Sequence, residues 1–283
     1  MKSKAYAAGT IVNALALGYG SAFGLNMVTE VKLSVEDDLK RCILIENGVE
    51  RKNRIVDRVL SRFGIKGVLE VKSEIPKGSG LGSSSAFMNA LLLSIYKYLG
   101  RRLLAHEILR LNAKLSLELE ISYTGAFDDA SASLLGGIVV SNNKEMKLIS
   151  WEFRKADAII LIPRWRRGKI LLEEICKDTE LVEKAVKLAI DGDYKSAMIL
   201  NSMHYCRRIG YPIEVIEKVK DLDCFCGLSG NGPTLVAFGN KEILKEVEEI
   251  WSGYGSIVWT ELVATPSDEI VVTSELYGNS RSS

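Results

Sequence analysis

The chain has 283 residues, 47% hydrophobic and 26% charged, a balance that suits a folded globular protein and excludes a disordered one. Lysine plus arginine (37) offsets aspartate plus glutamate (36), so no overall basic field exists for nucleic acid or an anionic membrane, and any basic site has to be local. The five cysteines, odd in number and scattered, argue against a disulfide framework.

The N-terminus starts with two lysines near an apolar stretch, so a signal peptide has to be weighed. Gly9, Thr10, Asn13 and Gly18 interrupt that stretch and make a poor signal core. No run of 18 apolar residues follows, and the expectation is a cytoplasmic protein without a membrane span. Val31, Leu33 and Val35 alternate with polar residues as a half-buried strand does, and 43–45 and 68–71 are further strand candidates. Residues 84–99 are apolar almost all round and end at Gly100, the pattern of a buried helix with glycine past its C-terminus. A second helix is predicted over 106–120, and strand returns over 136–140.

A boundary is expected near residue 150, dividing the chain into 1–150 and 151–283. Beyond it, 158–162 reads as a buried strand stopping at Pro163. Residues 179–190 and 194–206 read as paired helices, and Pro212 opens a helix to about Lys220. Strands at 225–228 and 235–238 flank a glycine-rich turn, 241–251 is an amphipathic helix, 257–260 a strand, and 278–283 a frayed tail. Cys224 and Cys226 fall on one strand face. With only two histidines in the chain, buried thiols fit them better than metal ligands do.

The strongest local signal is Pro76, Lys77, Gly78, Ser79, Gly80, Leu81, Gly82, Ser83, Ser84, Ser85 and Ala86, which leads into the apolar helix. Glycines let backbone N–H groups approach an anion, and a helix N-terminus adds unpaired donors and a favourable dipole. The competing reading is a flexible loop with a helix cap. No lysine stands where a Walker A loop needs one. The segment resembles the phosphate loop of the GHMP kinases, Pro-x3-Gly-Leu-Gly-Ser-Ser-Ala, with Ser85 in place of the first alanine. Ser229, Gly230, Asn231, Gly232, Pro233 and Thr234 resemble the third motif of that family, in the form found in homoserine kinases.

Between the two lies Thr124 to Ser133, with Asp128 and Asp129 adjacent and Gly136-Gly137 closing the segment. By itself the acidic pair also fits the first turn of a helix. Mevalonate kinases place their catalytic aspartate seven residues before the same Gly-Gly, which falls on Asp129, whereas homoserine kinases carry asparagine there. Gly125-Ala126-Phe127-Asp128-Asp129-Ala130, with Ala8 to Ala14 and Gly20 to Leu25, is similar to the archaeal shikimate kinases.

The resemblance implies an α+β protein of two domains, the first like domain 2 of ribosomal protein S5 and the second ferredoxin-like, with the site in the cleft. It implies transfer of the γ-phosphoryl group of ATP to shikimate, with the loop 76–86 and the turn at Ser229, Gly230 and Gly232 on the nucleotide. Mg²⁺ is then expected on Ser84 and Glu118, with Glu120 as the other acid, and Asp129 acts on the hydroxyl either as base or by orienting it. One arginine of Arg164-Trp165-Arg166-Arg167-Gly168-Lys169 is expected on the substrate carboxylate, although such a run is as readily a solvated loop. Homoserine kinase, another GHMP kinase or a related decarboxylase, and a non-catalytic metabolite-binding sensor are the alternatives.

Overall fold

The computed structural model describes residues 1–36, 38–39 and 41–277; the expected frayed tail lies outside the described residues. The first sheet is built from β1 (Lys2–Val12), β2 (Tyr19–Val35), β3 (Ile43–Glu46), β4 (Val49–Arg51), β5 (Gly67–Ser73), β6 (Ile138–Asn142) and β7 (Lys147–Glu152). Its order is β4-β3-β5-β2-β6-β7, with β1 antiparallel along β2. The long β2 pairs with β6 over its first residues and with β5 over its last. The broken apolar stretch weighed as a signal peptide is β1, and Ala5, Ala7, Ala8, Ile11 and Val12 are all buried. A strand covered on both faces shows no alternation, which is why it lacks the strand period.

With this sheet go α1 (Arg54–Arg62), α2 (Ser83–Tyr98), α3 (Ala105–Glu118) and α4 (Phe127–Leu135); α2 and α4 pack on its strands, and α3 packs on α2 and α4. The side chain of Asn53 caps α1 by accepting from the N–H of Ile55 at 2.9 Å, and Val56, Val59 and Leu60 form its buried stripe. The apolar α2 is the central helix, as its composition requires. The helix α3 stops two residues short of expectation. Glu120 turns left-handed at φ 56° and Ile121 N–H closes onto Ser116 O at 2.9 Å.

The second sheet holds β8 (Asp157–Pro163), β9 (Cys224–Leu228), β10 (Leu235–Gly239) and β11 (Gly255–Glu261) in the order β11-β8-β10-β9, every pairing antiparallel. Between β8 and β9 run α5 (Leu172–Ile175), α6 (Glu180–Ile190), α7 (Tyr194–Ile209) and α8 (Glu214–Glu217), and α9 (Lys241–Trp251) joins β10 to β11. This is the β-α-β-β-α-β ferredoxin-like arrangement, with extra helices in its first crossover.

The helix expected over 212–220 shrinks to α8. The Trp251 indole donates to Val215 O at 3.1 Å, and Val219 N–H turns to Ile216 O instead. Cys224 and Cys226 are buried free thiols on one face of β9, as the C-F-C pattern predicts. After β11 the chain returns to the first sheet. Leu262 bridges Leu25, Val271 bridges Leu104 and Tyr277 bridges Leu148, so 262–277 lies with the first sheet although it follows the expected boundary. Among the described residues no helix is long and apolar enough to cross a membrane.

Candidate active site

Two helix N-termini meet at one cavity of about 430 Å³. Gly82, left-handed at φ 63°, starts α2, and Ala126, left-handed at φ 47°, starts α4; neither helix has a side-chain cap. The first-turn N–H groups of α2 are therefore left for a ligand, and both dipoles favour an anion. A left-handed alanine is a strained choice, kept where the surroundings over-determine it. Ser83, Ser84 and Ser85 line the cavity from α2, and Asp128 and Asp129 line it from α4.

A buried amide network fixes the two helix starts. Asn112 of α3 donates to Ser85 O at 3.1 Å and to Asn89 Oδ1 at 2.7 Å, and Asn89 donates to Ala130 O at 2.8 Å. Ser116 donates to Asn112 Oδ1 at 3.1 Å and also reaches the cavity wall. Each buried amide is therefore satisfied, and the network holds α2, α3 and α4 in register beneath the site.

The glycine-rich loop is held from behind. Gly80 sits at φ 89°, and a methyl group there would come within 2.2 Å of Ser229 O. Ser229 Oγ donates to Gly80 O at 2.9 Å, and Thr10 Oγ1 accepts from Gly230 N–H at 2.8 Å. Asn13 donates from its amide to Asn231 Oδ1 at 2.9 Å, which ties the end of β1 to the same turn. Loop, strand and turn thus form one wall.

The aspartates differ. Asp128 is buried, and its Oδ1 accepts from Asn143 Nδ2 at 2.8 Å. Burial raises its pKa above the usual carboxylate range, against the opposing pull of Asn143. A methyl group on Gly20 would lie 2.2 Å from Asp128 Oδ2, so only glycine lets β2 pass this carboxylate. Asp129 is half-buried on the cavity wall. Its pKa is raised well above the ordinary range, first by desolvation and then by the charge of Asp128.

Of the basic stretch 164–169, Arg167 alone lines this cavity, with Nη1 3.4 Å from Gly78 O. Arg164 turns away to Gly253 O. A second, more apolar slot of about 280 Å³ opens on the other side of the loop, walled by Ile55, Ile75, Phe87 and Ile121. It shares Gly78, Ser83, Ser84 and Ile121 with the first.

Residues 50–137 match the model of the GHMP kinases N terminal domain. The chain is 46% identical to a shikimate kinase of Archaeoglobus fulgidus over 98% of both chains, and 35% identical to one of Pyrococcus furiosus over 89% of this chain and 95% of that one. The chain belongs to the archaeal shikimate kinase family of GHMP kinases. It is accordingly an ATP-dependent kinase. The crystal structure of a mevalonate kinase shares the fold, with TM-score 0.72, 16% identity and coverage of 93% of this chain and 99% of that one.

The residues expected on the nucleotide divide into two sets. Gly78, Gly80, Gly82, Ser83, Ser84, Ser85 and Gly230 line the cavity, and Lys77 lines the apolar slot while paired with Glu46 at 2.6 Å. Pro76, Ser79, Leu81, Ala86, Ser229 and Gly232 line neither and instead build the wall. Ser79 Oγ donates to Pro76 O at 2.7 Å, and Leu81 and Ala86 are core residues.

Glu118, expected on the metal, does not line the cavity. Ser116 faces the cavity, and two residues further on an α-helix is about 200° around the axis. Glu118 therefore points to the outer face, where Arg62 of α1 holds it at 2.7 Å. Glu120, exposed in its left-handed turn, does not line the cavity either. Thr10, Asn13 and Asn231 on the wall were not foreseen. Their signal was the polar residues interrupting the buried β1 and the glycine turn.

Proposed function

We propose that this chain transfers the γ-phosphoryl group of ATP to the 3-hydroxyl of shikimate, giving 3-phosphoshikimate and ADP. The observation that carries the reading is the cavity itself. An uncapped serine-bearing helix start faces a carboxylate on a second helix start, with one arginine at the rim. The two sheets supply the two domains of this reading, parted near residue 150, with 262–277 returning to the first.

In this reading the nucleoside takes the apolar slot and its phosphates pass over the shared residues Gly78, Ser83 and Ser84 to the start of α2. The acceptor lies in the larger cavity with its carboxylate on Arg167 and its 3-hydroxyl against Asp129. Asp129 accepts the hydroxyl proton as the oxygen bonds to the γ-phosphorus and the bond to the β–γ bridging oxygen breaks. Backbone N–H groups of the loop and the α2 dipole stabilise charge gathering on ADP, in the manner of phosphoryl transfer by positioning and electrostatics. Asp128, fixed by Asn143, keeps the start of α4 in place.

The donors on the cavity are oxygens, which suit Mg²⁺. Among the described residues no cluster of three or more His, Cys, Asp or Glu could hold a metal ion. Ser84 is the protein donor that fits it. Bound there, Mg²⁺ would supply positive charge against the phosphates.

Two measurements test this reading. Purified chain with ATP should release ADP with shikimate far faster than with homoserine or mevalonate; equal turnover with homoserine would overturn the acceptor assignment. Ser84→Ala should move the Mg²⁺ dependence of kcat to higher concentration, whereas Glu118→Gln should leave it in place. The reverse pattern would return the metal to the acid on the outer face.

A further inference from the structure

We propose that Tyr211 is a positioning residue whose hydroxyl sets Arg167 on the acceptor by tying the loop that carries it to the glycine turn of the nucleotide site. The inference rests on the reading of Arg167 as the acceptor's carboxylate partner.

The Tyr211 hydroxyl accepts from Gly168 N–H at 3.0 Å and donates to Asn231 O at 3.0 Å. Both of its hydrogen-bonding roles are thus used by backbone, one on each side of the cavity mouth. Gly168 follows Arg167 directly, and Asn231 is the residue that Asn13 holds through its side chain at 2.9 Å. The chain of contacts runs from β1 through the turn and the tyrosine to the arginine loop.

The tyrosine is itself immobilised. It is buried and follows the left-handed Gly210 that ends α7, with its N–H on Cys206 O at 2.9 Å. Gly232 lies so close to the ring that a methyl group there would come within 2.5 Å of Cε2. On the other side, a methyl group on Gly168 would meet Ile209 at 2.5 Å. The loop is therefore pinned at residue 168, while Arg167 is exposed and its guanidinium reaches Gly78 O of the phosphate loop at a long 3.4 Å.

An exposed arginine is a weak clamp unless its backbone is fixed, because ordering its side chain costs rotamer entropy on binding. The rigid base at Gly168 leaves only the side-chain torsions to order. A buried hydroxyl with two backbone partners is more than packing needs at that point, since phenylalanine would fill the same space.

The test is a double-mutant cycle on the full chain, with Tyr211→Phe, Arg167→Gln and the pair, read as KM for shikimate, KM for ATP, kcat and Tm. Tyr211→Phe keeps the ring against Gly232 and removes only the hydroxyl. The expected result is a rise in the shikimate KM of about fivefold, the scale of one hydrogen bond. It should exceed the change in kcat, and the double variant should have no higher a shikimate KM than Arg167→Gln alone. A lower Tm with an unchanged shikimate KM, in a background where Arg167→Gln does raise it, would overturn the role of Tyr211 and leave the carboxylate reading standing. Additive effects in the pair would overturn it too. An unchanged shikimate KM in Arg167→Gln would overturn the carboxylate reading itself, and the role of Tyr211 with it.

Discussion

Asp129→Asn should lower kcat with shikimate by about 10² to 10⁴-fold, the usual contribution of a positioned general base. Asparagine keeps the size and reach of the side chain and removes only the charge and the proton acceptor, so the KM values for shikimate and ATP should change much less than kcat. The same substitution should raise Tm at neutral pH. Burial and the neighbouring Asp128 hold the folded-state pKa of Asp129 well above the ordinary carboxylate range. Between the unfolded and the folded pKa the folded chain binds more protons than the unfolded one. Stability is greatest below that window and falls as pH rises through it. Above the unfolded pKa the raised folded pKa is therefore a cost to the fold, and asparagine removes that cost. A group that served only as a helix-terminal anion would behave the other way, losing stability and keeping kcat.

Asp128→Asn separates the two carboxylates. It removes the neighbouring charge that helps to raise Asp129, so the acid limb of the kcat/KM profile should move to lower pH. An acid limb at the same pH in wild type and Asp128→Asn would mean that desolvation alone sets the pKa of Asp129. A near-wild-type kcat in Asp129→Asn, with binding also unchanged, would falsify the catalytic role.

Much of the site was legible because its residues are poor choices for anything else. Three glycines and four serines ahead of a helix apolar on every side, and two adjacent aspartates among alanines, conflict with ordinary local preference and mark a site. The strands of the second half were legible because they are short and bounded by turns, whereas their ferredoxin-like arrangement came only from the family resemblance. What failed has a physical cause in each case. The strand β1 hid because both of its faces are covered. The helix α1 was not foreseen, its buried stripe of Val56, Val59 and Leu60 sitting among Arg54, Arg58 and Arg62.

The place of Glu118 was not legible either. Spacing along the chain put Glu118 eleven residues ahead of Asp129, but spacing carries no information about which face of α3 a residue occupies. Its partner Arg62 sits on the helix that went unseen. The loop residues Pro76, Leu81 and Ser229 match the family pattern for reasons of architecture. A motif scores a residue that shapes the wall the same as one that lines it.

The choice among Arg164, Arg166 and Arg167 could not be made from sequence, because a loop has no period from which a direction can be read. The structure brings Arg167 to the cavity, and Arg167→Gln should therefore raise the shikimate KM by about 10- to 100-fold, the scale of a lost hydrogen bond between charged partners. Arg164→Gln is the control. Arg164 is anchored to Gly253 O outside the cavity, and its removal should leave the shikimate KM within about twofold. Glutamine keeps the length and one donor of arginine but not the charge or the planar fork, so the effect should be concentrated on an anionic acceptor. A shikimate analogue with the carboxylate replaced by a neutral amide gives the decisive comparison. It should bind wild type weakly and Arg167→Gln no more weakly, because the interaction is already gone. Arg167 also touches Gly78 of the phosphate loop, so the competing role is on the γ-phosphate of ATP. In that case Arg167→Gln would raise the KM for ATP or lower kcat with both acceptors alike, and the penalty on the amide analogue would equal the penalty on shikimate.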